Sequence, residues 1–211
     1  MSRMANATAK LIGYPRIGPN RELKWALERA WSGRMPMPEF HARIAELRSA
    51  HLEEQRSLVG FAADDFVLYD LVLETAMQLG LVPDDRRQAL ADDPFEVLTV
   101  LARGSEEREA WEMTKWFDTN YHYVVPEIPG LPERLQPLPW REPIAGQATS
   151  WVILGPYSLV KLSKLADGID PLDLARAAGR AIWTFAREAR ERDPQFRLQV
   201  DEPSLGLAMA D

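Results

Sequence analysis

The sequence predicts an α/β protein built on a parallel sheet, on three observations. Five short segments, residues 9–15, 65–70, 120–128, 150–156 and 196–203, have the length and the apolar, β-branched or aromatic content of strands. Helical segments separate them instead of tight hairpin turns, which is the pattern of strand–helix–strand units with right-handed crossovers. The segment "SWVILGP" is apolar without alternation, as strands are when covered on both faces. Successive crossovers of one hand wind such a sheet round an axis, and a closed (β/α) barrel needs about eight strands and about 250 residues. With five strands in 211 residues, the fold is expected to be either an open sheet or an unfinished barrel.

Each element follows from local chemistry. "AKLIGYP" (9–15) is the first strand; "GPN" then turns the chain, and Asn20 is the expected N-cap of a helix running to about Trp31, ahead of Gly33. Over residues 38–58, Phe40, Ile44 and Leu47 share one face opposite charged residues, giving a second helix. "DFVLYD" (65–70) reads as a strand feeding the helix "LVLETAMQLG", which Gly80 and Pro83 close. The charged stretch 84–112 reads as helix with loops. "NYHYVVPEI" is the third strand, stopped at Pro126, and the proline-rich residues 127–146 form a long connection. After the fourth strand, Leu174, Ala178, Ile182, Phe185 and Ala189 form one stripe of a helix over 171–192, and "FRLQVDEP" is the fifth strand.

Composition limits the function classes. A chain that is 46% hydrophobic and 27% charged can bury a core, which excludes disorder. A net charge of -7 argues against a phosphate-backbone binder, so no nucleic-acid partner is expected. No apolar run approaches the roughly 20 residues that span a bilayer, and no basic leader precedes an apolar core, so no membrane partner and a cytoplasmic location are expected. With no cysteine, disulfides, thiolate nucleophiles and cysteine-ligated zinc are excluded. His41, His51 and His122 are widely spaced, with no HExxH pair, so no metal site made by this chain alone is expected.

Three clusters carry candidate chemistry. In "YPRIGPNRELKWA" (14–26), Arg16, Arg21 and Lys24 crowd a helix start, where free N–H groups and the helix dipole favour an anion. Arginine binds carboxylates or phosphates through paired donors and lysine as a point charge, so a polyanionic ligand suits them. The alternative is that these cations are solvated and neutralised by Glu22. In "EMTKWFDTNYHYVVPE" (112–127), Lys115, Trp116, Asn120, Tyr121 and His122 offer a cation, stacking faces and amide donors, although the stretch by itself reads first as core aromatics with Lys115 reaching to solvent. In "VDEP", Asp201 and Glu202 end a strand at the edge where parallel α/β folds bind ligands, but neighbouring strand residues face opposite ways.

The pieces "GYPRIGPNRELKWALERAWSG", "DDFVLYD", "ARG" at 102–104, "EMTKWFDTNYHYVVPE", "LGPYSLVKLSK" and "QVDEPSL" extend in order over nearly the whole chain. Together they resemble the amino-terminal domain of cobalamin-independent methionine synthases, which methylate homocysteine with 5-methyltetrahydropteroyl-triglutamate. The resemblance implies a (β/α) TIM-barrel type, apparently incomplete, with residues 1–211 as a truncated amino-terminal domain. It implies that Arg21, Glu22, Leu23, Lys24 and Lys115 contact the polyglutamate tail of the folate substrate, with Arg16 adding charge. It implies no catalytic residue and no cobalamin here. The family's zinc lies in a carboxyl-terminal barrel that this sequence lacks, so the chain by itself is expected to be inactive as a methyltransferase, and the missing catalytic half is a candidate partner. A stand-alone folate-polyglutamate or polyanion-binding module is the alternative, and a self-contained enzyme using Asp201 or Glu202 a third reading. An unfinished barrel would expose a sheet edge, from which self-association or marginal stability is expected.

Overall fold

The structure is a computed structural model that describes residues 11–144 and 148–207. Helix α1 (Glu22–Trp31) buries Leu23, Ala26 and Leu27, one face of a helical period. Helix α2 (Met37–Val59) buries Phe40, Ile44 and Leu47 and stops at Gly60, whose φ of 72° suits a residue without Cβ. Strand β1 (Ala62–Asp64) leads through an irregular loop to helix α3 (Leu71–Gln78), capped by the Asp70 carboxylate on the N–H of Leu73 at 2.8 Å. Helices α4 (Arg87–Asp92) and α5 (Pro94–Arg103) occupy the charged stretch. Strands β2 (Met113–Lys115) and β3 (His122–Val124) form an antiparallel hairpin. Beyond β4 (Glu127–Ile128) and β5 (Thr149–Leu154) come helix α6 (Pro156–Lys161), β6 (Lys164–Leu165), helix α7 (Pro171–Arg192) and β7 (Leu198–Asp201).

The main sheet has the order β1-β5-β7, all parallel, and β4 pairs with β6 in a separate parallel ribbon. One apolar cluster packs Leu23, Phe40, Leu73, Phe95 and Trp140 beneath α1, α2 and α5. A second packs Trp151 and Ile153 of β5 against Leu174, Ile182 and Phe185 of α7. Residues 12–14 bridge the two edge strands of the main sheet: Gln199 Nε2 on β7 donates to Ile12 O at 2.9 Å, and nearby Tyr14 donates its N–H to Asp65, just past β1, at 2.9 Å.

Helices α1, α2, α3 and α7 lie where the sequence places them, as do β5 and β7. Several expectations are corrected. The parallel α/β class holds and no closed barrel forms among the described residues, in keeping with an open or unfinished sheet, but the main sheet has three strands there where five were expected. The strand expected over 65–70 is instead 62–64, because the Glu74 carboxylate takes the N–H groups of Leu68 and Tyr69 at 2.7 and 2.9 Å and withholds them from a ladder. "FVL" is apolar because the loop itself is buried. The strand expected over 120–128 is divided: β3 turns back on β2, while Glu127 and Ile128 pair elsewhere. Of the strand expected over 9–15, residues 9 and 10 lie outside the described residues and 11–15 join no ladder. Arg21, at φ 63°, is the N-cap of α1 in place of Asn20, whose N–H and side-chain amide are bound by Glu22 at 3.0 and 3.1 Å.

The buried centre is polar. Arg141 is 1% exposed, and its guanidinium donates to Phe66 O at 2.7 Å and to Val152 O, while its own carbonyl accepts from Trp151 Nε1 at 2.6 Å. Arg48 is paired with buried Asp64. Replacing Arg141 by Met would leave two buried carbonyls and nearby carboxylates without their donor. The expected loss is about 3 kcal/mol, read as a lower urea midpoint at unchanged slope; an unchanged midpoint would count against this role.

Candidate anion-binding site

Beyond the carboxyl end of β1, three stretches meet. Arg16 donates Nη1 to Leu68 O at 2.9 Å and Nη2 to the Tyr121 hydroxyl at 3.4 Å, so it joins the turn before α1, the loop after β1 and the β2–β3 turn. Two of the clusters singled out in the sequence are thereby brought together. The β2–β3 turn is ordered by Trp116, whose N–H donates to Tyr121 O at 2.7 Å and whose ring meets Phe117, Tyr121 and Tyr123 edge to face. Lys115 is exposed at the end of β2, opposite His122 in the ladder.

The other predicted residues fall as follows. Arg21 is exposed and Lys24 half-buried, the latter with its Nζ 5.7 Å from the Trp25 ring centroid. Glu22 makes no salt bridge with either among the described residues; its carboxylate accepts from the Asn20 N–H and side-chain amide, and backbone and Asn20 hydrogen bonds keep its pKa below the ordinary value. Gly18, at φ 81°, accommodates this arrangement, since a Cβ there would strike the Glu22 carboxylate. The side chain of Leu23 is fully buried in the core. Neither the Arg21 nor the Lys115 side chain has a hydrogen-bond or ion-pair partner among the described residues. Asp201 and Glu202 lie elsewhere on this edge. Glu202 accepts the N–H groups of Tyr157 and Ser158 at 3.0 and 2.7 Å and so caps α6, while Asp201 accepts from Gln199 Nε2 at 2.9 Å.

Sequence reasoning passed over the acids behind the site. Asp70 takes the N–H of Val124 at 3.0 Å in addition to capping α3. Glu74 takes Trp140 Nε1 at 2.8 Å with the two loop N–H groups. Burial pushes Asp70 up to about 6 and Glu74 up to about 7, and it raises Asp65, below the Tyr14 N–H, to about 6. The available signal was a charge inside each apolar run, "DFVLYD" and "LVLETAMQ".

The fold is that of an α/β protein with a parallel sheet, a class whose ligand sites lie in the loops at the carboxyl ends of the strands. The chain belongs to the family of cobalamin-independent synthases: residues 8–211 match the family's N-terminal domain. It is 40% identical over 218 residues to a 5-methyltetrahydropteroyltriglutamate–homocysteine methyltransferase of Streptomyces coelicolor, covering 97% of this chain and 28% of that protein. Proteins of the same name from Xylella fastidiosa (strain M23) and a Chelativorans species are 38% and 36% identical, with 93% and 100% of this chain and 27% and 30% of theirs covered. The chain thus spans under a third of the length of these relatives. Among the described residues no group of three or more metal-ligating side chains could hold an ion. With no cysteine in the chain, the residues described do not fit the zinc that the resemblance implies for the complete enzyme. No helix among the described residues is long and apolar enough to cross a membrane.

The raised acids give a pH signature. Their folded values near 6 to 7 exceed the ordinary 3.8 for aspartate and 4.5 for glutamate. The folded state therefore binds more protons than the unfolded state in between. Their stabilising contribution is present below about pH 4 and lost as pH rises through 6 to 7. The urea midpoint should fall between pH 5 and pH 7.5, and less so in Glu74→Gln; a midpoint that rises across this interval would refute the assignment.

Proposed function

We propose that this chain is the folate-tail-holding part of a cobalamin-independent methionine synthase, binding the polyglutamate of 5-methyltetrahydropteroyl-triglutamate through Arg21, Lys24 and Lys115, with Arg16 ordering the site. The observation that carries this reading is the Arg16–Tyr121 link, which joins the stretch of Arg21 to that of Lys115, two exposed cations whose side chains have no hydrogen-bond or ion-pair partner among the described residues. Family membership and the substrate in the relatives' names support it. Glu22 and Leu23 act from within the chain, the first fixing the turn and the second anchoring α1 in the core. The parallel sheet is read as an arc of a (β/α) barrel, and residues 1–211 as the amino-terminal part of that domain.

The chemistry of this part is recognition. A triglutamate tail offers several carboxylates, and charge-assisted hydrogen bonds are worth roughly 1.5–3 kcal/mol each. Two or three such contacts provide binding energy far from the reacting methyl group, which in a complete enzyme fixes the substrate's orientation. The methyl transfer to homocysteine then belongs to the full-length protein, and this chain alone is expected to show no turnover.

Calorimetric titration of the chain with the triglutamate and monoglutamate forms of methyltetrahydrofolate tests the reading. The triglutamate should bind more tightly, with the difference shrinking as salt is raised. Arg21→Ala and Lys115→Ala should each weaken triglutamate binding about tenfold, equivalent to about 1.4 kcal/mol, and leave the monoglutamate unaffected. Equal affinity for the two forms in a folded sample would overturn the tail-holding role. Equal affinity for a free triglutamate peptide and the complete folate would instead favour a general polyanion-binding module.

A further inference from the structure

The gap between the loop after β1 and the β2–β3 hairpin is bridged twice. In front, Arg16 binds Leu68 O of the loop at 2.9 Å and reaches the Tyr121 hydroxyl of the hairpin at 3.4 Å. Behind, two acids one turn apart at the start of α3 hold the same two elements. Asp70 accepts the Val124 N–H of β3 at 3.0 Å, and Glu74 Oε1 accepts the N–H groups of Leu68 and Tyr69 at 2.7 and 2.9 Å. The Tyr69 N–H and the Leu68 carbonyl are the two ends of one trans peptide plane and point opposite ways. A carboxylate fixed behind that N–H therefore aims the carbonyl at Arg16. The remaining Glu74 oxygen accepts Trp140 Nε1 at 2.8 Å. All three groups on this buried carboxylate are donors, and a bond to an ionised oxygen is about twice as strong as one to a neutral oxygen.

We propose that Glu74 is a positioning residue for the anion-binding site, acting across the Leu68–Tyr69 peptide on Arg16 and, through Tyr121, on the hairpin that carries Lys115. The proposal rests on the reading of that site as the holder of a polyglutamate tail. It makes Glu74 touch no ligand, and sets how the stretch of Arg21 and the stretch of Lys115 stand relative to each other. The chain of bonds is continuous, and each bond in such a chain polarises the next. The groups facing Glu74 are Trp140 and the Arg141 guanidinium from the proline-rich connection, Arg16 from the turn before α1, Tyr69 of the loop, Tyr121 of the hairpin and Asp70 at the start of α3. Burial raises its carboxyl to about 7, against the two guanidinium groups and the hydrogen bonds it accepts. As pH falls through this value the two loop bonds lose their charge assistance and the seat of Arg16 loosens.

Nuclear magnetic resonance of the ligand-free chain with isotope-labelled tyrosine tests the relay, with His122 replaced by Gln throughout so that the ring next to Tyr121 adds nothing to the signal. The Tyr121 resonance, assigned by Tyr121→Phe, should show a step near pH 7. In Glu74→Gln that step should vanish, leaving only the step of Asp70 near 6. In Arg16→Gln it should vanish as well, since the signal passes through Arg16. With ligand, the preference for triglutamate over monoglutamate methyltetrahydrofolate should fall about fivefold in Glu74→Gln, and Glu74→Gln with Tyr121→Phe should lose no more than the worse single variant. A merely structural role would give additive losses. A Tyr121 resonance without the step near pH 7, a step that persists in Arg16→Gln, or a folded Glu74→Gln chain with unchanged triglutamate preference would each overturn the proposal. If the wild type shows no triglutamate preference, the tail-holding reading fails, and the resonance still decides whether Glu74 orders Arg16 and Tyr121. If Glu74→Gln fails to fold, the pH titrations of the wild type and of Arg16→Gln decide.

Discussion

The structure turns on the Arg141 guanidinium. It reaches from the proline-rich connection into the space between β1 and β5, where it holds the carbonyls of Phe66 and Val152. The loop after β1 has no ladder of its own, so its backbone needs other partners. Arg141 supplies a donor from one side, and Glu74 supplies an acceptor for Leu68 and Tyr69 from the other. Trp140 and Trp151 bind the same arrangement together, one donating to Glu74 and the other to the Arg141 carbonyl. Burying these charges is costly unless each is hydrogen-bonded; here each holds backbone groups that would otherwise be buried without partners.

That internal arrangement positions the exposed chemistry. With its N–H groups satisfied from behind, the loop presents Leu68 O forward, where Arg16 binds it and extends to Tyr121. Near this site Asp70 and Glu74 lie inside, and Arg21 and Lys115 are exposed. Asp70 and Glu74 are fully enclosed and satisfied by N–H donors, so they do not neutralise Arg21 or Lys115 at the surface. Glu22, the acid beside Arg21 in the chain, accepts from the Asn20 N–H and side-chain amide. The net charge of -7 is a sum over the whole chain, and the sign of a site depends on which charges are already engaged.

Gln55 follows the same logic of satisfied backbone: at β1 a buried glutamine finishes the edge of the main sheet by binding both the N–H and the C=O of Ala63.

The sequence by itself determined the parallel α/β class, the extents of α1, α2, α3 and α7, the strands β5 and β7, and the family. Those elements are set by local periodicity and by apolar runs covered on both faces, and long quoted motifs carry the family resemblance. The sequence also marked Arg16 and the stretch around Lys115 as places of interest, but as separate clusters. Only the tertiary structure decided that Arg16 joins them through Tyr121, that Glu22 faces Asn20, and that Glu202 caps α6. It likewise decided that "DFVLYD" is a buried loop after a strand, because the competing partner for its N–H groups, Glu74, lies on the following helix and is itself held by Trp140, 66 residues away. Local pattern fixes which residues avoid water; which distant group satisfies a buried N–H or leaves a cation unpaired is fixed by packing alone.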